Sequence, residues 1–152
     1  MLGKLSEVQI EDLLEQQVTG RIGCHAEGVT YIVPINYGYK DGCIYGHSAK
    51  GKKIEMLRNN PEVCFQVDKI ESILKWKSVI GWGLYEEISK REDLHKAMQV
   101  IISHLVPYIK DSEGHPSHGI TEKETDVGSS VDLILYKICL KEKTGRFEDP
   151  DV

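Results

Sequence analysis

Gly20-Arg21-Ile22-Gly23-Cys24-His25-Ala26-Glu27-Gly28-Val29-Thr30-Tyr31-Ile32-Val33-Pro34-Ile35-Asn36-Tyr37, continued by Gly38-Tyr39-Lys40-Asp41-Gly42-Cys43-Ile44-Tyr45-Gly46-His47, decides the fold. Its apolar residues recur with a period of two, which belongs to strands. Ala26-Glu27-Gly28 and Lys40-Asp41-Gly42 are tight-turn signals, because glycine supplies the positive φ that short hairpin turns need. Arg21 to His25 and Val29 to Tyr37 therefore read as one hairpin. Cys43 to His47 returns antiparallel beside the strand carrying Pro34, Asn36 and Tyr37.

Outward from this core, Val63 to Asp68 alternates cleanly and predicts a fourth strand, and Trp76 to Glu87 a long fifth. Gly81 and Gly83 inside the fifth mark a bulge, a bend or a close approach. Val131 to Leu140 predicts the last strand, and 143–152 reads as a charged tail. Three helices accompany the strands. Ser6 and Gln9 form a capping-box pattern before Val8, Ile10, Leu13, Leu14 and Val18. Gly51 to Asn59 is short and stops at Asn60-Pro61. Ser89 to Tyr108 carries an apolar stripe of Leu94, Ala97, Met98, Ile101, Ile102 and Leu105. Residues 110–128 form a long polar loop. Six strands joined mostly by hairpins predict a mainly β fold, a small antiparallel barrel with flanking helices. The expectation is a single domain over 1–152, with its core at 18–142.

The third strand ends in Gly46-His47-Ser48-Ala49-Lys50-Gly51-Lys52-Lys53, just where the short helix begins. Unpaired helix N–H groups, a positive dipole end and lysine charges form an anion cradle there. The spelling G-x-x-x-x-G-K also fits a triphosphate loop. That motif needs Ser or Thr next for magnesium, where this chain has Lys53, and a buried parallel strand before it, where this one pairs as a hairpin. The triphosphatase reading fails on both counts.

A net charge of −5, with no basic cluster outside the cradle, gives no footprint for a nucleic-acid backbone. No apolar run approaches a membrane span and no signal peptide opens the chain, so a cytoplasmic location is expected. Cys24, Cys43, Cys64 and Cys139 lie far apart among apolar neighbours without C-x-x-C spacing. They read as buried free thiols, which fits a reducing compartment. His115 and His118 read as solvated loop residues, and no metal site is expected. No catalytic triad or carboxylate pair is visible.

Taken in order, Gly20 to Cys24, Val33 to Tyr37, Tyr45 to Ala49 with Gly51-Lys52-Lys53, Asn60 to Phe65, and Trp76 to Val79 with Gly81 resemble the pyridoxamine 5′-phosphate oxidase-like FMN-binding split-barrel family. Within it the chain is most similar to the nitroimidazole-resistance branch. The resemblance covers Gly20 to Glu87 well. It implies a six-stranded split barrel and a homodimer with FMN in a groove between two barrels. The FMN phosphate would be held by Ser48, Ala49, Lys50, Lys52 and Lys53, and the ring would lie along Pro34, Ile35, Asn36, Tyr37 and His47, with Ser78 and Val79 facing the ligand or the partner. In their bland readings, the lysines are a solvated helix face, His47 a hydrogen-bonded strand end, and Tyr37 and Trp82 core or interface. The implied activity is electron transfer from a reduced nicotinamide to a small acceptor such as a nitroaromatic compound, with His47 as candidate proton donor. The alternatives are flavin binding without turnover and, as in some split-barrel relatives, haem binding. Oxidation of pyridoxamine phosphate is not expected, because no arginine-rich C-terminal strand exists beyond Arg146.

Overall fold

The computed structural model describes residues 1–109 and 133–152. The strands are β1 (Leu2–Lys4), β2 (Thr19–Ala26), β3 (Val29–Asn36), β4 (Gly38–Lys40), β5 (Cys43–Ala49), β6 (Glu62–Ser72), β7 (Lys75–Glu87) and β8 (Leu133–Glu148). The helices are α1 (Glu7–Gln16), α2 (Lys52–Asn59) and α3 (Arg91–Leu105), the last followed by a 3-10 turn at Val106–Tyr108.

One eight-stranded sheet runs in the order β3-β2-β6-β7-β8-β5-β4, with β1 paired to the far end of β8, and every pairing is antiparallel. Its two edge strands, β3 and β4, are separated in the chain by Tyr37 alone. A sheet whose opposite edges are consecutive in sequence must curl on itself, and this curl is the barrel.

The expected pairing of β5 beside Pro34 to Tyr37 is corrected. β5 meets β4 at Gly38↔Tyr45, Tyr39↔Ile44 and Lys40↔Cys43, and the ladder stops there. The reason lies at Tyr37, whose N–H bonds the Val18 carbonyl at 3.0 Å while its hydroxyl donates to the Leu14 carbonyl at 2.7 Å. Those bonds pull the chain away from β5. The outer edge of β3 and the Gly46–Ala49 segment of β5 are left apart, and the barrel is split between them.

The core fills the curl with Ile22, Ile35, Ile44, Ile54, Leu57, Phe65, Val67, Val79, Tyr136 and Ile138. Each fully buried aliphatic or aromatic side chain there stabilises by about 1.5–3 kcal/mol. A second cluster, Met98, Ile101, Leu105 and Leu135, seats α3 on the outer face of β8, with Tyr45 of β5 packed against it. Gly38 makes this seat possible, since a Cβ there would lie 2.9 Å from the Ile101 backbone.

Local expectations held where short-range chemistry governs. Ser6 caps α1 with the full reciprocal box, although Val8 on that helix is exposed. Both hairpin turns put a non-glycine and a glycine at positive φ, Glu27-Gly28 and Asp41-Gly42, the pattern of a type I′ turn. The register of β7 against β8 slips between Trp82 and Gly83, the bulge that the two glycines signalled.

Three expectations fail. Among the described residues the strands number eight, because the split at Tyr37 makes two strands of one and β1 adds an N-terminal strand. The last strand does not end at Leu140 but runs to Glu148, so most of the expected tail lies in the sheet, paired with β7 and β1. Cys43 and Cys139 are not free thiols: they form a disulfide, brought directly opposite each other on β5 and β8 from 96 residues apart. Cys24 and Cys64 are free. The expected loop at 110–128, with His115 and His118, lies outside the described residues.

Candidate functional site

The split opens onto the junction of β5 and α2. β5 delivers Gly46, His47, Ser48 and Ala49 there through its ladder with β8, where Gly46 faces Tyr136, His47 faces Leu135 and Ala49 faces Leu133. Gly51 is then the N-cap of α2 in extended backbone, with no side-chain cap. The first amides of the helix, those of Lys52 and Lys53 included, have no side-chain cap among the described residues. Ile54 and Leu57 are fully buried and hold α2 against β2.

This anchoring fixes the two lysines differently. Lys52 is exposed, with its Nζ 5.3 Å from the Tyr31 ring centroid on β3. Lys53 is half-buried, with its Nζ 6.0 Å from the Tyr136 ring centroid on β8. Burial pushes the Lys53 ammonium below the ordinary lysine value, opposed in part by Cys24, and burial pushes the Cys24 thiol up, opposed by Lys53. Lys53 makes no ion pair among the described residues. A half-buried cation without a carboxylate is stabilised by any anion that reaches it.

Of the expected phosphate residues, Ser48, Ala49, Lys50, Lys52 and Lys53 therefore come together at one corner. The Ser48 hydroxyl donates to the Ala49 carbonyl at 2.8 Å, and Lys50 is exposed. The expected ring residues divide between the two faces of the sheet. Pro34 and Asn36 are exposed on β3, Asn36 accepting from the Thr19 hydroxyl at 2.9 Å. Ile35 and Tyr37 point into the core, Tyr37 edge-on to Phe65 at 5.1 Å. His47 is half-buried on the face of β5 opposite to Gly46. Ser78 accepts from Gln66 Nε2 at 3.1 Å and Val79 is fully buried. These two pair with Arg146 and Gly145, at the end of β8 remote from Leu133. Within the chain these two residues lie away from the cradle.

The sequence reading missed Tyr136. Gly46 was its signal, since a glycine inside a strand marks close approach, and a Cβ on Gly46 would lie 2.5 Å from Cζ and Oη of Tyr136. The Tyr136 side chain is fully buried, and its hydroxyl has no hydrogen-bond partner among the described residues.

On the outer face of the sheet lies a second feature, a shallow apolar depression of about 680 Å³ lined by Gly23, Ile32, Cys64, Trp82 and Leu84 among others. Ile32, Trp82 and Leu84 are 69%, 40% and 45% exposed. Among the described residues no three His, Cys, Asp or Glu side chains gather as metal ligands, and no helix is long and apolar enough to cross a membrane.

The family model for pyridoxamine 5′-phosphate oxidase matches residues 6–130. The chain belongs to this family. Among solved structures it is similar to an FAD-binding protein from Mesorhizobium loti, 28% identical, with a TM-score of 0.76 and 98% and 99% of the two chains covered. It is similar as well to a Bacteroides thetaiotaomicron protein named for 5-nitroimidazole antibiotic resistance, 25% identical, TM-score 0.73, covering 97% and 87%. A Mycobacterium smegmatis FAD- and haem-binding protein shares the fold at 12% identity, TM-score 0.70, covering 97% and 73%. An uncharacterized Rhizobium meliloti protein is 36% identical over 75 residues, 49% of this chain, and the match spans half of that relative's length. Membership of the pyridoxamine 5′-phosphate oxidase family accounts for the curled antiparallel sheet and its flanking helices.

Proposed function

We propose that this member of the pyridoxamine 5′-phosphate oxidase family binds FMN and works as an oxidoreductase, passing electrons from a reduced nicotinamide to a small acceptor such as a nitroaromatic compound. The observation that carries the reading is Lys53, half-buried and in no ion pair among the described residues, beside the start of α2, which has no side-chain cap. A phosphate monoester fits this donor set, since it accepts from backbone N–H groups and ammonium groups together. Lys52 and Lys53 would neutralise it, and Ser48 and Lys50 would line its approach. The names of the Mesorhizobium and Bacteroides relatives support a flavin and a nitro-compound acceptor respectively. When bound, FMN supplies the hydride-accepting chemistry of the reaction. The chain's part is to fix the phosphate at α2 and to exclude water from the split. His47 is the proposed proton donor, because an imidazole can both hold and release a proton.

The reading includes a homodimer. Ser78 and Val79 sit at the opposite end of β8 from the cradle, so both regions serve one ligand only if different protomers supply them. The exposed Ile32, Trp82 and Leu84 offer the apolar face that such a pairing would cover.

The purified protein should be yellow with flavin absorption, should bleach with NADH or NADPH, and should recover its colour with a nitroaromatic compound. Bleaching that no acceptor reverses would leave a flavin binder without turnover, and an intense Soret band would replace flavin by haem. Replacing Lys52 and Lys53 by alanine should weaken FMN by roughly 10- to 100-fold per lost charged contact and leave riboflavin nearly unaffected. Equal loss for the two ligands refutes the phosphate assignment.

A further inference from the structure

Tyr136 stands in the cradle with a hydroxyl that the described protein does not use. It lies between Gly46 of β5 and Glu87 of β7, and its ring packs on Tyr85 with centroids 5.3 Å apart. Its Cζ and Oη end lies over Gly46, and the Lys53 ammonium approaches the same ring. A buried O–H without a partner is costly, and a phenylalanine would fill the same volume without that cost. Burial pushes the phenol well above its ordinary value, so it stays protonated and can only serve an incoming oxygen as a donor.

We infer that Tyr136 is a phosphate-anchoring residue: its hydroxyl donates a hydrogen bond to a phosphoryl oxygen held by Lys53 and the first amides of α2. The inference rests on the flavin reading and deepens it by naming a donor from a second element, β8. Gly46 belongs to the same device, because a Cβ there would occupy the space taken by Cζ and Oη of Tyr136. The chemistry is that of any phosphoryl group, whether the monoester of FMN or the diphosphate of FAD.

The test compares wild type with Tyr136→Phe for FMN, FAD and riboflavin by quenching of flavin fluorescence, together with the Tm of the ligand-free proteins. The expected result is a dissociation constant raised roughly 10- to 100-fold for whichever phosphate-bearing flavin wild type takes, with riboflavin unchanged. The ligand-free Tm should be unchanged or higher, as for any buried hydroxyl without a partner, and the difference between the phosphate-bearing flavin and riboflavin then decides the role. Equal affinities for the phosphate-bearing flavin overturn the inference. A similar loss for riboflavin, with a lowered Tm, marks a packing role and overturns it equally. Should Tyr136→Phe fail to fold, 3-fluorotyrosine placed at position 136 gives the same decision: its fluorine resonance should shift with FMN or FAD and not with riboflavin, and no shift overturns the assignment. If wild type takes none of the three flavins, the functional reading itself falls with the inference, and that outcome is told apart because no variant is involved.

Discussion

Lys53 shows how a single charge can carry a site. Exposed lysines on a helix are ordinary, but this one is drawn inward between Cys24 and Tyr136 because Ile54 and Leu57 bury the next turns of α2. Burial disfavours its charged form and no carboxylate among the described residues pairs with it, the condition under which a bound anion stabilises most. Arg58, on the same helix, shows the opposite arrangement. Its guanidinium bonds both carboxylate oxygens of Glu87, and that bond holds the Glu87 carboxyl below its ordinary value of 4.5, against a smaller opposing push from burial. A depressed carboxylate stabilises the fold fully above its unfolded value, and the contribution disappears as pH falls through the folded value. Glu87→Gln should therefore be less stable than wild type at neutral pH, and the two urea-denaturation curves should converge below pH 4.5. Curves that stay parallel would show that the pair contributes nothing.

At the scale of elements, β8 organises the molecule. It pairs with β5, β7 and β1 along its sixteen residues, and it presents Tyr136 to the cradle and Cys139 to Cys43. The disulfide joins residues 96 apart, so its main effect is on the unfolded chain, by up to about 4.7 kcal/mol in a chain-entropy account. Reduction, or the double change Cys43→Ser with Cys139→Ser, should lower the urea midpoint by a corresponding amount without changing the strand signal in circular dichroism. An unchanged midpoint would mean that the bridge does not form in solution. Composition and spacing could not reveal this pair, because its two cysteines become neighbours only through the β5–β8 register. The same cause hid the end of β8. Lys141 to Glu148 is highly charged and reads as a tail, yet it lies at a sheet position with water on one side, where charged side chains can point outward.

For the whole molecule, the outer face bearing Ile32, Trp82 and Leu84 is the surface that a single chain leaves incompletely used. On the proposed reading a second copy covers it and brings Ser78 and Val79 to the ligand. Trp82→Glu places a charge there and should convert a dimer to a monomer in sedimentation experiments, with flavin affinity falling in parallel. A wild type that is monomeric and still binds flavin would remove the dimer from the account. The curled sheet was largely legible beforehand, since hairpin turns such as Glu27-Gly28 and Asp41-Gly42 act within a few residues. The bend at Tyr37 was not, because it depends on Val18 and Leu14 arriving from elsewhere in the chain.

By itself the sequence determined the β-rich architecture, the three helices with the cap of α1 and the stop of α2, and the basic junction at Ser48 to Lys53. These rest on periodicity, turn chemistry and helix ends, which are properties of neighbouring residues. Only the tertiary structure decided that Ile35 and Tyr37 face the core, that Cys43 joins Cys139, that β5 parts from β3, and that Tyr136 overlies Gly46 beside Lys53. Each of those depends on which face and register distant strands adopt, and a shift of one residue in pairing exchanges every inward side chain for an outward one.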